Sequence, residues 1–340
     1  MKSISQLISI LIIVVLSIAT AGYAVNKVGT TSAQFLKIGV GARAVAMGGA
    51  FVAVANDAST LYWNPAGIGR LGKLEAVLMH NEWLADMYFD YAGVTLALGN
   101  FGTLGASVST LNMGEMLVRT LQNPEGTGEK FVAGDVAVGI SYARSLTDRF
   151  SIGFTGKYIR QKIWLMHASS VALDVGVLFD TQLEGLRIGM SISNFGNNMR
   201  MEGDNTLRFY DEDPILYGNN DKVPAYLKTD HWPLPLLFRV GLAFDVIKSP
   251  ISNLIVAVDA IHPNDNPEGV NLGIEYVLRN MVVFRSGYKA LFAPDAEGGL
   301  AVGGGFKFRI SRVMKLEIDY AYSDYGRLEN AQRFSLGLVF

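Results

Sequence analysis

Arg333-Phe334-Ser335-Leu336-Gly337-Leu338-Val339-Phe340, the last eight of 340 residues, decide how the chain is read. Phe334, Leu336, Leu338 and Phe340 share one face of an extended strand, with Ser335, Gly337 and Val339 between them. Soluble domains tend to end in frayed polar tails. A chain that stops on an aromatic, on a strand with an apolar outer face, reads as the closing strand of a barrel in lipid. The competing reading is the last strand of a soluble β-sandwich, and the rest of the chain decides between them.

The first residues point to export. Lys2 supplies a positive start, and Leu7 to Ala19 is apolar apart from Ser9 and Ser17. That run is short for a spanning helix, which needs about 20 residues, but it suits a secretory signal, with Ala19-Thr20-Ala21 as an A-x-A cleavage site and Gly22-Tyr23-Ala24 as a second choice. Residues 1–24 are therefore read as a signal peptide. The chain has no cysteine, which excludes a lipid-anchored cysteine, a disulfide frame and thiolate metal sites.

Half of the residues are apolar, yet beyond the signal no apolar run is long enough for a helical span. The formal net charge is −2 and no basic block invites nucleic acid. Period-two alternation reconciles the apolar composition with the missing runs. Val136, Val138, Ile140 and Tyr142 oppose Asp135, Ala137, Gly139 and Ser141. Phe238, Val240, Leu242 and Phe244 oppose Arg239, Gly241, Ala243 and Asp245, and Met314, Leu316, Ile318, Tyr320 and Tyr322 oppose Lys315, Glu317, Asp319 and Ala321. Segments of this kind recur near 75–81, 89–98, 102–111, 133–145, 149–160, 168–180, 185–195, 235–247, 252–262, 268–279, 281–290, 299–310, 313–323 and 331–340. Tight connections alternate with long ones, above all 196–234. The expected fold is all-β, a transmembrane antiparallel β-barrel of about 14 strands.

Charged residues at the bilayer midplane cost about 2–4 kcal/mol each for Arg and Lys. The polar face that carries Asp174, Arg187, Arg239, Asp245, Glu275, Arg285, Lys307, Lys315, Glu317 and Asp319 must therefore line the lumen. Both signs occur there, as in a self-neutralising network rather than an ion-selective ring. Residues 25–70 do not alternate and are rich in small side chains, so they are read as an N-terminal plug, with 71–340 as the barrel. Asp57 is placed to cap a short helix starting near Ala58, and Pro65-Ala66-Gly67 to stop it. Gly39-Val40-Gly41-Ala42-Arg43-Ala44 has the form G-x-G-x-x-A, but no βαβ unit surrounds it and a nucleotide reading fails.

The stretch from Gly39-Val40-Gly41-Ala42-Arg43-Ala44 through Asn56-Asp57 to Trp63-Asn64-Pro65-Ala66-Gly67 resembles the N-terminal segment of PorV/PorQ-type proteins, a branch of the FadL-like outer-membrane barrels. The resemblance continues in Pro233-Leu234-Pro235-Leu236-Leu237-Phe238-Arg239-Val240-Gly241, Asn271-Leu272-Gly273-Ile274-Glu275-Tyr276, Phe284-Arg285-Ser286-Gly287-Tyr288 and Asp319-Tyr320-Ala321-Tyr322. It implies a plugged barrel of fourteen strands in the outer membrane of a Gram-negative-type envelope, with Asn56, Asp57, Trp63, Asn64, Pro65 and Gly67 as the plug motif. It also implies a non-enzymatic accessory of type IX secretion, receiving cargo or binding the translocon. The alternative it carries is a FadL-like passive transporter of long-chain fatty acids or other hydrophobic small molecules. Outer-membrane lipid and the barrel-assembly machinery are the expected partners in either case.

The long loop mixes acids with Phe209, Tyr210, Tyr217, Tyr226 and Trp232, and is the place to look for partner contact. His80, His167, His231 and His262 are scattered without metal-ligand spacing, and no G-x-S-x-G elbow occurs. Asp211-Glu212-Asp213 and the acidic stretch from Asp259 to Glu268 read as solvated loops. No catalytic residue, metal or cofactor is expected. In this reading Phe340 is the terminal contact for insertion, together with Phe334, Leu336 and Leu338. Deleting it should lower the yield of heat-modifiable barrel recovered from membranes, and undiminished insertion would contradict the reading of the C-terminus.

Overall fold

A computed structural model describes residues 28–211, 215, 220, 222–293 and 298–340. The expected signal peptide lies outside the described residues. Seventeen strands follow in chain order: β1 Glu75–Glu82, β2 Tyr88–Ala97, β3 Thr103–Leu117, β4 Lys130–Ser145, β5 Phe150–Ile163, β6 Met166–Asp180 and β7 Leu186–Gly196. The long connection holds β8 Glu202–Gly203, β9 Leu207–Tyr210 and β10 Val223–Tyr226. The chain returns to the wall in β11 Leu237–Lys248, β12 Ser252–Pro263, β13 Gly269–Leu278, β14 Val282–Leu291, β15 Leu300–Arg309, β16 Lys315–Asp324 and β17 Asn330–Val339.

Strands β1–β7 and β11–β17 form one antiparallel wall of fourteen. β7 pairs with β11, β5 with β6, and β1 closes on β17 with Glu75 opposite Val339 and His80 opposite Phe334. Closure leaves no free sheet edge, which is the condition for a sheet in lipid. The outward face is the apolar one: Leu78, Val138, Ile140, Ile274, Phe284, Ile318 and Phe334 are exposed, while their neighbours Val77, Ala137, Ser141, Glu275, Arg285, Asp319 and Arg333 are buried. The charged residues that alternation assigned to the lumen face it, apart from Lys315, which is exposed at the rim where β16 begins.

β1 begins and β17 ends at the same rim, and the connections there are short: 98–102, 146–149, 181–185, 249–251, 279–281 and 310–314. The opposite rim carries the longer connections 118–129, 197–236 and 292–299, so it is the outer one. Residues from Ala33 to Leu71 run inside the barrel and are almost all buried. This luminal segment folds as a 3₁₀ turn Gln34–Lys37, helix α1 Ala42–Ala46, helix α2 Thr60–Trp63 and a 3₁₀ helix Pro65–Arg70. Pro65 was expected to end helical structure. It ends α2 but opens the 3₁₀ helix, because proline at the first position needs no amide partner and the Asn64 side chain accepts from Ala66 N. Asp57 does not cap a helix N-terminus directly; one of its oxygens takes Ser59 N at 2.8 Å in a turn before α2.

The wall makes room for this segment with glycine. A Cβ on Gly153 of β5 would sit 2.4 Å from the carbonyl carbon of Pro65, one on Gly189 of β7 would sit 2.2 Å from Val52 O, and one on Gly287 of β14 would sit 2.1 Å from the carbonyl carbon of Met47. These are backbone contacts that cannot give way. Gly303 of β15, in the run Gly303-Gly304-Gly305, likewise faces Ala46, with its would-be Cβ 2.6 Å from Ala46 Cβ. The glycines thus mark places where the luminal segment touches the wall. Gly153→Val should therefore destabilise the protein by about 1–3 kcal/mol, read as a lower urea midpoint. Gly156→Ala on the same strand, with nothing within 4 Å, should leave it unchanged. Equal midpoints for the two variants would contradict the close packing.

Candidate functional site

Polar anchors hold the luminal segment at three levels. At the outer rim, Asp265 in the connection after β12 receives Thr31 Oγ1 at 2.6 Å, Gln34 Nε2 at 2.6 Å and Lys37 Nζ at 3.0 Å. Ser32 N donates to Pro233 O at 2.9 Å, and Ala33 N to Gln161 Oε1 at 3.0 Å. Burial opposes charge on Asp265, and the hydrogen bonds from Gln34, Thr31 and Lys37 outweigh it, so the carboxyl is held below its ordinary value. Of the stretch from Asp259 to Glu268, expected as a solvated loop, Asp259 and Asp265 are buried anchors, whereas His262, Asn266, Pro267 and Glu268 are exposed. Asp259 lies on β12 and is fully buried, with Oδ2 accepting from Phe51 N at 2.8 Å and Val52 N at 2.9 Å.

At mid-depth, Arg43 of α1 donates from Nε and Nη2 to the two oxygens of Glu275 on β13, both at 2.7 Å. Its remaining nitrogen reaches Asn56 Oδ1 and Asp57 Oδ2, each at 2.8 Å. Arg285 joins the chain of charge, donating to Glu275 Oε2 at 2.7 Å and to Asp319 Oδ1 at 2.6 Å. Two arginines and three carboxylates pair with one another, Arg43 in the fork-to-carboxylate geometry that suits guanidinium, and Arg285 through Nε and Nη1 while its Nη2 has no acceptor. At the inner end, Asn64 Nδ2 donates to Val52 O at 2.8 Å and across to Val177 O of β6 at 3.0 Å. Arg70 then ties to Asp180 at 2.7 Å and Ser151 at 3.0 Å. Trp63 Nε1 donates to Val40 O at 2.8 Å, which locks the segment onto itself.

The outer loops present a different surface. β9 and β10 form a short hairpin separate from the wall, with Tyr210 opposite Val223 and Leu207 opposite Tyr226. Phe209, Tyr210 and Tyr226 are 67%, 59% and 64% exposed, and Trp232 is 47% exposed where its backbone bridges to Met199. Leu121 and Phe292 add exposed apolar surface on the neighbouring outer loops.

The sequence matches the family of the type IX secretion system protein PorV over residues 22–205, more than half of the chain. The chain belongs to the PorV family. No curated protein matches it. Among solved structures it is similar to the CymD monoaromatic hydrocarbon channel, with a TM-score of 0.56 and 12% identity over 89% of this chain and 97% of that one. It is also similar to the toluene transporter TbuX of Ralstonia pickettii, with a TM-score of 0.53 and 12% identity over 88% of this chain and 97% of that one. The toluene transporter TodX of Pseudomonas putida gives a TM-score of 0.53 and 11% identity over 88% and 96%. At such identities the likeness shows a shared barrel fold. This PorV-family chain is an outer-membrane barrel, and membership implies a role in type IX secretion.

The structure gathers the motif of the PorV-family segment: Asn56 and Asp57 meet at Arg43, while Trp63, Asn64, Pro65 and Gly67 are buried in the lumen, Trp63 under Arg239 of β11 and Asn64 against Val177 of β6. Gly67 sits where a Cβ would meet Thr60 Oγ1 at 2.4 Å and Ala55 O at 2.5 Å. Phe334 and Phe340 are exposed on the outer wall, with Leu336 and Leu338 on the same face and partly covered by neighbouring strands. Of the loop aromatics, Phe209, Tyr210, Tyr226 and Trp232 share the outer rim, and Tyr217 lies outside the described residues. Reading by sequence missed Arg43, Glu275 and Asp265 as anchors. The available signal was Arg43 itself, a lone charge in a run of small residues. The lowered value of Asp265 makes its contribution to stability present above the ordinary carboxylate range and lost as pH falls through that lowered value. The gap in urea midpoint between wild type and Asp265→Asn should be constant above about pH 5 and shrink as pH falls below about 4; a gap that stays constant in acid would contradict the anchor.

Proposed function

We propose that this barrel serves protein secretion as a non-enzymatic accessory that binds the translocon or secreted cargo at its outer loops. The observation that carries the reading is the division of labour between lumen and rim. The lumen is occupied by a segment anchored at three levels, and the wall strands around it are paired in a closed ring. The outer loops carry exposed aromatics, with the β9–β10 hairpin at their head, whereas the exposed apolar residues of the inner rim, such as Phe101, Ile251 and Val313, sit singly in short turns. Exposed aromatics of this kind are common interface anchors. Family membership supports the same direction. In this reading residues 1–24 direct export, 25–70 form the plug and 71–340 the barrel.

One observation favours the alternative of a passive transporter of fatty acids or other hydrophobic small molecules. Asn64 reaches the wall at Val177, and near it the β6–β7 ladder is broken by a bulge between Leu173 and Val175, where Asn194 takes a positive φ of 65°. Crosslinked affinity purification from the native envelope separates the two readings. The secretion reading expects a large translocon barrel, or secreted proteins sharing a C-terminal sorting domain, in the eluate. A variant carrying Phe209→Ala, Tyr210→Ala, Tyr226→Ala and Trp232→Ala should keep its heat-modifiable barrel and lose those partners. Recovery of apolar small molecules with no protein partner, or undiminished partner recovery by the variant, would overturn it.

A further inference from the structure

Two histidines on the outward face of the wall are matched by acids. His80 Nδ1 on β1 lies 2.6 Å from Asp90 Oδ1 on β2, and His262 Nδ1 on β12 lies 2.8 Å from Glu268 Oε1. A third, His167 on β6, stands instead beside cations. Lys162 of β5 is directly opposite it, and Arg160 is opposite Ser169 one step below. All three basic side chains are exposed. They face away from the lumen, because their neighbours Ile159 and Gln161 point into it, where Gln161 meets Ala33 N. Neither Arg160 nor Lys162 pairs with a carboxylate among the described residues. Glu202, the acid that β8 brings opposite His167, is taken by Arg200.

The height of this group in the wall gives it meaning. β5 starts at Phe150 on the inner rim, and Arg160 and Lys162 lie further along the same strand. At about 3.3 Å per residue and a tilt of about 40°, they stand about 25 and 30 Å above that rim, where an apolar band about 25 Å tall gives way to head groups. Because the rim is the outer one, those head groups belong to the outer leaflet. Below the cations the surface turns apolar. Val138, Tyr158 and Val171 form one row across β4, β5 and β6, and Ile140, Gly156 and Leu173 form the row beneath it. The flanking Ile140 and Leu173 are exposed, whereas a Cβ on Gly156 would meet nothing within 4 Å. The second row therefore has an empty slot at its centre, roofed by Tyr158 and open to the membrane.

We propose that this face of β4–β6 binds a phosphorylated glycolipid of the outer leaflet, of the lipopolysaccharide class. Its phosphates sit against Arg160 and Lys162, guanidinium and ammonium donors that no acid of the described residues occupies. One of its acyl chains fills the slot at Gly156 between Ile140 and Leu173. Two unpaired cations on one strand, with an imidazole beside them, suit a head group that carries more than one phosphate better than the single phosphate of a glycerophospholipid. The site rests on the outer-membrane assignment and not on the secretion reading, because it is complete within one chain and is measured on the purified barrel without a protein partner.

The test is native mass spectrometry of the delipidated barrel in an uncharged detergent, titrated with bis-phosphorylated lipid A, with its dephosphorylated form and with phosphatidylglycerol. Lipid A should saturate at one molecule per barrel, and the other two should bind at least several-fold more weakly. Excess inorganic phosphate should not displace it. Arg160→Gln and Lys162→Gln together should weaken lipid A binding by tenfold or more, and Gly156→Leu, which fills the slot, should weaken it several-fold. Arg144→Gln removes an exposed cation from the inner end of β4 and should leave binding unchanged. All these side chains are exposed, and heat modifiability shows that each variant keeps its barrel. Equal affinity for the dephosphorylated lipid or for phosphatidylglycerol would overturn the proposal. So would displacement by inorganic phosphate, or binding that the paired substitutions lower no more than Arg144→Gln does.

Discussion

Arg43 and Glu275 meet through two hydrogen bonds of 2.7 Å deep inside a barrel whose outside is lipid. Neither charge would persist there alone, and leaving one partner of a buried pair unmatched costs about 3–5 kcal/mol. The pair is possible only because the luminal segment can reach the wall. Small residues on α1 and the inward glycines of β13, β14 and β15 bring the two backbones together, down to a would-be Cβ contact of 2.1 Å at Gly287. Charge and glycine thus depend on each other. A bulkier wall would lift Arg43 off Glu275, and without the pair the segment would lose its strongest hold at mid-depth.

The filled lumen has consequences at both rims. On the inner side, Arg70 and Asn64 fasten the end of the segment to β5 and β6, so β1 starts from a fixed point. On the outer side, the Asp265 anchor fixes the segment beneath the loops, and the space it leaves opens toward them. In the proposed reading, partners are therefore met at the outer rim and not in the lumen. That is where the hairpin aromatics are exposed, and where the PorV-family role in secretion would be exercised.

The wall was legible because lipid imposes a strict code. A residue on Val138's side of its strand must be apolar, a residue on Asp319's side is free to be charged, and the period of two exposes both choices. The luminal anchors follow no such code. Lys37 and Asp265 are 228 residues apart in sequence, and nothing in the local pattern of Asn264-Asp265-Asn266-Pro267 separates a buried acid from a solvated one. Asp259 misled for a related reason: it belongs to a strand whose polar face is covered by another part of the chain. Pro65 was read by its usual role as a helix stop, whereas the Asn64 cap turns it into a helix start. The hairpin of β9 and β10 went unseen because each strand has only four residues, too few for periodicity to register.

The central claim is that the anchored segment closes the lumen. Ion conductance of the purified barrel in planar bilayers tests it most directly. The account predicts no sustained conductance for the wild-type protein, and openings when Arg43→Met and Glu275→Gln together release the segment. Steady wild-type conductance, unchanged by those substitutions, would contradict it.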